Sequence, residues 1–105
     1  MRSLLLLFLA LMHLQSAQAG IIEEGYELLE AGDLEGATVL WESALEAGDG
    51  SATLHYNLGT TWYRRGNIPR AIAHWRMGRI LRPRDANLVH NLAVARSELQ
   101  DVVEP

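Results

Sequence analysis

Three histidines, His55, His74 and His90, offer the most chemistry in a chain that also carries 13 carboxylates. Imidazole groups serve as general bases and as Zn²⁺ ligands, so acid–base catalysis and a metal site are the activities to test first. No two of these histidines lie at metal-ligand spacing on one helix, and the chain has no cysteine. Motifs of the GxSxG, HExxH and glycine-rich phosphate-binding types are also absent. We therefore predict no enzyme activity and no catalytic, cofactor-binding or metal-binding residues.

The N-terminus predicts export. Residues 1–19 combine one positive charge at Arg2, an apolar run of 11 residues over Leu4–Leu14, and a small-x-small ending at Ala17–Ala19. These are the features of a secretory signal peptide, and a spanning helix would need roughly 20 apolar residues. Cleavage after this ending leaves residues 20–105, one small domain. The alternative is an uncleaved N-terminus that tethers the chain to the inner membrane.

The charges are segregated along the rest of the chain. Residues 20–51 carry nine carboxylates and no base, whereas residues 52–84 carry seven Arg and no acid. Export and the acidic neighbour disfavour nucleic-acid binding by the Arg-rich stretch. Two alternatives remain. Either the opposite charges pair within one chain, or the acidic unit of one molecule docks on the Arg-rich unit of another in a salt-sensitive homo-oligomer.

The sequence contains an internal repeat with a period of 34 residues. Small residues and aromatics recur together, since Gly25 falls on Gly59 and Trp41 falls on Trp75. The further pairs are Gly32 with Gly66, Ala37 with Ala71, Ala44 with Gly78, and Leu28 with Trp62. A small residue lets two helices approach closely, and a large aromatic fills the space between them. This alternation predicts packed helical hairpins with Trp41, Trp62 and Trp75 in the core.

Apolar periodicity predicts five helices and no strand. The breaks between the helices fit this prediction, because Gly32 and Gly66 suit the left-handed turn that ends the first helix of each unit. Ser51, Asn67 and Asp85 suit the N-cap positions of the helices that follow. The fold class is therefore all-α.

The window from residue 54 to 83 resembles a tetratricopeptide repeat (TPR). The residues that match the family motif are Leu58, Gly59, Trp62, Gly66, Ala71, Trp75, Gly78 and Pro83. His55 stands where the family usually has Trp. The resemblance implies two TPR hairpins and a C-terminal capping helix in a short right-handed solenoid. Its parts would be a degenerate unit at 20–51, a second unit at 52–85, a capping helix at 86–100 and a tail at 101–105.

The TPR resemblance also implies a binding surface. In TPR proteins the first helix of each hairpin lines a concave face that holds extended peptides, and Asn57 and Asn91 match the Asn residues that such proteins often place there. The groove residues predicted on this basis are Tyr26, Glu30, Tyr56, Asn57, Thr60, Tyr63, Arg64, His90, Asn91 and Val94. The alternative is an ordinary solvated face.

A finer resemblance covers nearly all of residues 20–105. The segments that carry it are NLG at 57–59, GNI at 66–68, RP at 82–83, NLAVAR at 91–96 and DVVEP at 101–105. They are similar to the TPR region of the BatE-like family of the bacterial aerotolerance operon. That family commonly continues into transmembrane helices and an SH3-like domain, so the chain is either a truncated relative or similar only in its repeats.

This finer resemblance implies a function and partners. The chain would be a periplasmic adaptor of a Gram-negative bacterium that mediates protein–protein interaction in an aerotolerance or envelope-stress complex. Its partners would be membrane proteins with von Willebrand A domains in a Bat/MoxR-type system. The alternative function is a structural homo-oligomer built from the acidic first unit and the Arg-rich second unit.

Overall fold

The computed structural model describes residues 1–103, without the side chains of residues 14–19. Within this part the chain forms five helices and no strand, which confirms the predicted all-α class. The helices are α1 (Arg2–Glu30), α2 (Leu34–Glu46), α3 (Ala52–Arg64), α4 (Ile68–Leu81) and α5 (Ala86–Val103). The last two residues of the predicted tail and the side chains of the predicted signal-peptide ending lie outside the described residues.

The α1–α2 and α3–α4 turns have the same geometry. Gly32 and Gly66 both adopt positive φ, at 81° and 84°, where a side chain would be strained. The same two backbone hydrogen bonds close each turn. In the first turn the backbone N–H of Gly32 donates to the carbonyl of Leu29 (3.0 Å), and that of Asp33 donates to the carbonyl of Leu28 (2.8 Å). In the second turn the N–H of Gly66 donates to the carbonyl of Tyr63 (3.0 Å), and that of Asn67 donates to the carbonyl of Trp62 (2.9 Å). The 34-residue repeat is therefore a repeat of structure as well as of sequence.

Side-chain caps begin four of the helices. The predicted caps are confirmed, because Ser51 accepts from the backbone N–H of Leu54 and Asn67 from that of Arg70, each at 3.1 Å. Asp85 caps α5 in the same way. A further cap, Asp33 at the start of α2, was not predicted from the sequence. A cap of this kind contributes about 1 kcal/mol to helix stability.

Each hairpin is closed by an indole ring lying on a glycine. Trp41 of α2 lies against Gly25 of α1, and Trp75 of α4 lies against Gly59 of α3. A Cβ atom at either glycine would overlap the indole, so both positions require glycine for close approach. Each indole N–H also reaches the backbone of the facing helix, with Trp75 donating to the carbonyl of Tyr56 at 3.2 Å.

The buried apolar residues form two clusters. One lies between α1, α2 and α3, and the other lies between α3, α4 and α5. The members of the first are Ala37, Trp41, Ala44, Leu54 and Leu58, and those of the second are Trp62, Ala71, Trp75, Leu88, Leu92 and Ala95. All three predicted core tryptophans are buried, with no more than 9% of Trp62 exposed. Helix α3 contributes to both clusters and thereby joins the two hairpins.

The two terminal helices are the longest in the array. Helix α1 is continuous from Arg2, and its apolar side chains between Leu4 and Met12 are exposed. Among the described residues, no helix has the length and apolarity needed to cross a bilayer. At the other end, α5 continues to Val103, three residues beyond the predicted boundary at residue 100.

We expect Gly59→Ala to lower the free energy of unfolding by about 1–3 kcal/mol, because its methyl group must displace the indole of Trp75. The matched control, in the full-length chain, is Gly20→Ala within α1, where nothing lies within 4 Å of the added methyl. That change should stabilise the protein by up to about 1 kcal/mol through helix propensity. Urea unfolding followed by Trp fluorescence measures both. Equal shifts of the same sign in the two variants would contradict the Gly59–Trp75 contact.

Candidate functional site

A cleft of about 300 Å³ lies between α3 and α5, directly above the core. We call it the α3–α5 cleft. It is lined by Tyr56, Thr60, Tyr63, Trp75, His90, Asn91 and Val94. Six of these are groove residues predicted from the sequence, and Trp75 forms the floor. Because the floor is a core residue held by Gly59, the shape of this cleft depends directly on the hairpin packing.

A second cleft of about 220 Å³ adjoins the first, and the two share Tyr56. It is lined by residues of α1, α3 and α5 and of the connection between α4 and α5. Its predicted members are Tyr26, Tyr56 and Asn57. The two remaining predicted groove residues, Glu30 and Arg64, are exposed and line neither of these two clefts.

Asn57 is more buried than the sequence suggested. Only 4% of the residue is exposed, because it faces α1, where the hydroxyl of Tyr26 donates to its Oδ1 at 3.2 Å. Its Nδ2 has no hydrogen-bond partner. Asn57 therefore lines the second cleft as a largely buried residue. Truncating Asn57 would remove a contact between α1 and α3, so it would lower the stability of the fold as well as change the surface of the cleft.

Tyr63 connects the two walls of the α3–α5 cleft. Its hydroxyl donates to the carboxylate of Glu98 on α5, and its ring packs on Trp75 with centroids 5.7 Å apart. The hydrogen bond to Glu98 raises the pKa of Tyr63, and desolvation and the charge of Glu98 act in the same direction. Tyr63 thus stays a neutral donor near neutral pH and fixes the spacing of α3 and α5.

A polar network links α2, α3 and α4. The Nε2 of His74 lies 3.3 Å from Glu42 Oε1, and its Nδ1 lies 3.3 Å from Nδ1 of His55. One of the two facing nitrogens must carry the proton and donate to the other. The indole of Trp62 donates to the same oxygen of Glu42 at 3.1 Å. The network therefore joins the first hairpin to the second.

Burial governs the charge of both histidines. Burial lowers the pKa of His55, and neighbouring His74 lowers it further, while Glu42 acts in the opposite direction. Burial also lowers the pKa of His74, against the charge and hydrogen bond of Glu42, which raise it, and Arg70 adds a smaller lowering. Near neutral pH both rings are thus held neutral.

This network is not arranged to hold a metal ion. Glu42 and His55 contact opposite nitrogens of the His74 ring, so a single ion cannot bind all three groups. More generally, the described part of the chain contains no cluster of three or more His, Cys, Asp or Glu side chains suited to a metal. The third histidine, His90, lies instead in the α3–α5 cleft.

Two of the arginines in the Arg-rich stretch pack on Trp62. The guanidinium groups of Arg65 and Arg70 lie 4.4 and 4.5 Å from its ring centroid. Such cation–π contacts contribute about 0.5–1 kcal/mol each at exposed sites. Among the described residues no arginine pairs with a carboxylate, and the one close contact between a basic side chain and a carboxylate is that of His74 with Glu42. The alternative in which the opposite charges pair within one chain is therefore wrong for this part of the molecule.

Sequence reasoning missed the histidine network, although one signal pointed to it. The small residue Gly78 lies opposite His55, and this leaves room for an imidazole that reaches His74, one turn earlier on α4. Ligand spacing along one helix cannot reveal a contact between His55 on α3 and His74 on α4.

Comparison with known proteins adds no family to this description. No protein-family model and no curated protein matches the chain.

We expect the protein to lose stability as the pH falls below about 6.5, the ordinary pKa of histidine. Below that pH the histidines of the unfolded chain bind protons. In the folded state the pKa values of His55 and His74 are lowered, so these two side chains bind protons less readily and protonation favours unfolding. Stability is then complete above pH 6.5 and declines below it, by at most about 1.4 kcal/mol per pH unit for each histidine. Urea unfolding at pH 7.5, 6.5 and 5.5 measures the slope.

The variant His55→Asn with His74→Gln should reduce this slope, because it removes both titrating groups. His90→Gln is the control, since His90 is exposed and lies outside the network. If stability fell with pH equally steeply in the double variant and the native chain, the pH dependence could not be due to His55 and His74.

Proposed function

We propose that this protein is a non-catalytic TPR adaptor that binds a segment of a partner protein in the α3–α5 cleft. The observation that carries the proposal is the repetition of the hairpin. The turns, the caps and the indole–glycine contacts recur after 34 residues, which is the length of a TPR unit. Stacked hairpins of this kind expose an extended concave surface suited to binding.

The chemistry of the α3–α5 cleft suits an extended peptide. The rings of Tyr56 and Tyr63 and the methyl groups of Val94 offer apolar contacts to side chains. Asn91 and His90 offer hydrogen-bonding groups for a peptide backbone. The adjoining cleft adds the ring of Tyr26 and the polar side chains of Thr53 and Asn87.

The resemblance to the BatE-like family supports a more specific setting for this adaptor. We propose export to the periplasm, with the apolar first half of α1 as the signal peptide. Its side chains between Leu4 and Met12 are exposed and belong to neither core cluster. The proposed partner is a membrane protein with a von Willebrand A domain in an aerotolerance or envelope-stress complex.

The test compares two valines of α5. Val94 and Val89 are similarly exposed, at 37% and 41%, but only Val94 lines the α3–α5 cleft. We expect Val94→Arg to reduce capture of a specific membrane protein from envelope extracts at least about tenfold, because loss of an apolar contact and a steric block together exceed 1.4 kcal/mol. Val89→Arg, at a matched site outside the cleft, should capture normally.

The readout is crosslinking and pull-down with the native chain and both variants, after thermal melts have shown equal folding. Equal capture by both variants would contradict binding in the α3–α5 cleft. Absence of any von Willebrand A domain protein from the captured set would contradict the proposed partner. The adaptor proposal itself is tested by the comparison of the two valine variants.

A further inference from the structure

An unpaired basic cleft opens between α4 and α5, with a volume of about 410 Å³. We call it the basic cleft. Its lining combines three arginines with apolar side chains, namely Arg76, Arg79, Ile80, Pro83, Leu92 and Arg96. None of these arginines has an ion-pair partner within residues 1–103. Ile80 is 70% exposed. The surface thus offers both unneutralised charge and apolar area to a partner.

The internal repeat gives the basic cleft a counterpart one unit earlier. Thirty-four residues earlier, Glu42 and Trp62 occupy the places of Arg76 and Arg96, in the groove between α2 and α3. Side chains of α4 close that earlier groove, because His74 contacts Glu42 and Arg70 lies over Trp62. The corresponding groove, between α4 and α5, is the basic cleft.

A cleft of opposite charge lies at the other end of the array. It is formed by α1 and α2 and has a volume of about 620 Å³. We call it the acidic cleft. It is lined by Glu24, Leu28, Asp33, Glu35, Gly36, Val39, Leu40 and Ser43. Val39, at 61% exposed, stands on the outer face of α2 and gives this cleft an apolar contact point.

We propose that the acidic cleft of one copy docks on the basic cleft of a second copy, with the outer face of α2 covering the open groove between α4 and α5. Glu24 and Glu35 would face the three arginines, and Val39 would contact the exposed Ile80. The two clefts lie on different hairpins of one chain, so a copy cannot satisfy its own basic cleft with its own acidic one. A contact between different surfaces repeats head to tail and does not stop at a dimer.

Complementary charges make this association dependent on salt. The Debye length falls from about 10 Å at 0.1 M salt to about 3 Å at 1 M. We expect sedimentation of the full-length chain to show a mass that rises with protein concentration at low salt. The association constant should fall at least about tenfold at 1 M NaCl. A monomer at every concentration and salt level would overturn the proposal.

Charge reversal gives the sharper test. One variant carries Glu24→Lys and Ser43→Lys in the acidic cleft, and the other carries Arg76→Glu and Arg79→Glu in the basic cleft. All four residues are exposed, so the changes leave the core in place. We expect each variant alone to stay monomeric, and the equimolar mixture to associate again, because each contributes one native cleft. Association of either variant alone at the native level, or a mixture that stays monomeric, would overturn the proposal.

The absence of cysteine from the chain allows a positional check. A copy with Val39→Cys and a copy with Ile80→Cys should form a crosslinked heterodimer under mild oxidation. Val94→Cys in place of Ile80→Cys is the control, because Val94 lines the α3–α5 cleft instead. Equal crosslinking to both sites would indicate non-specific contact through the apolar half of α1 and overturn the proposal. Val94 lies outside both charged clefts. The Val94→Arg experiment therefore tests the adaptor function, and the charge-reversal experiment tests self-association separately.

Discussion

The contact between an indole ring and a glycine of the facing helix sets the geometry of this protein. Trp41 on Gly25 and Trp75 on Gly59 bring two helices closer than any side chain at the glycine would allow. Each ring is almost fully buried and donates its N–H to a backbone carbonyl, so both packing and a hydrogen bond hold the ring in place. The domain has no disulfide to limit the unfolded chain, and this packing has to hold the hairpins.

The clefts follow from that geometry. Trp75 is the floor of the α3–α5 cleft and its N–H bonds the carbonyl of Tyr56, which lines both adjoining clefts. The position of α5 is then fixed by Leu88 and Leu92 in the core and by the hydrogen bond from Tyr63 to Glu98. On the outer face, Glu42, His74 and His55 join the two hairpins through a network in which burial lowers the pKa of both histidines. Packing thus sets the helix positions on the inner face, and polar contacts join the hairpins on the outer face.

The sequence was most informative where one residue type has one structural use. Glycine at a positive φ and Ser, Asn or Asp before a helix predicted the turns and three of the caps correctly, because few other residues fit those positions. The depth of Asn57 could not be predicted, since it depends on how closely α1 approaches α3. The contact between His55 and His74 depends in the same way on the spacing of two helices. Periodicity assigns a residue to a face of its own helix, but it does not measure the distance to the next one.

Nuclear magnetic resonance of the two glycines would test the packing most directly. The account predicts that the Hα signals of Gly25 and Gly59 are displaced by the ring currents of Trp41 and Trp75. It also predicts nuclear Overhauser contacts from Gly59 Hα to the Hδ1 and Hε1 protons of Trp75, the edge of the ring nearest to it. Glycine Hα shifts near their random-coil values, with no contact to an indole proton, would contradict the packing on which the clefts and the proposed functions depend.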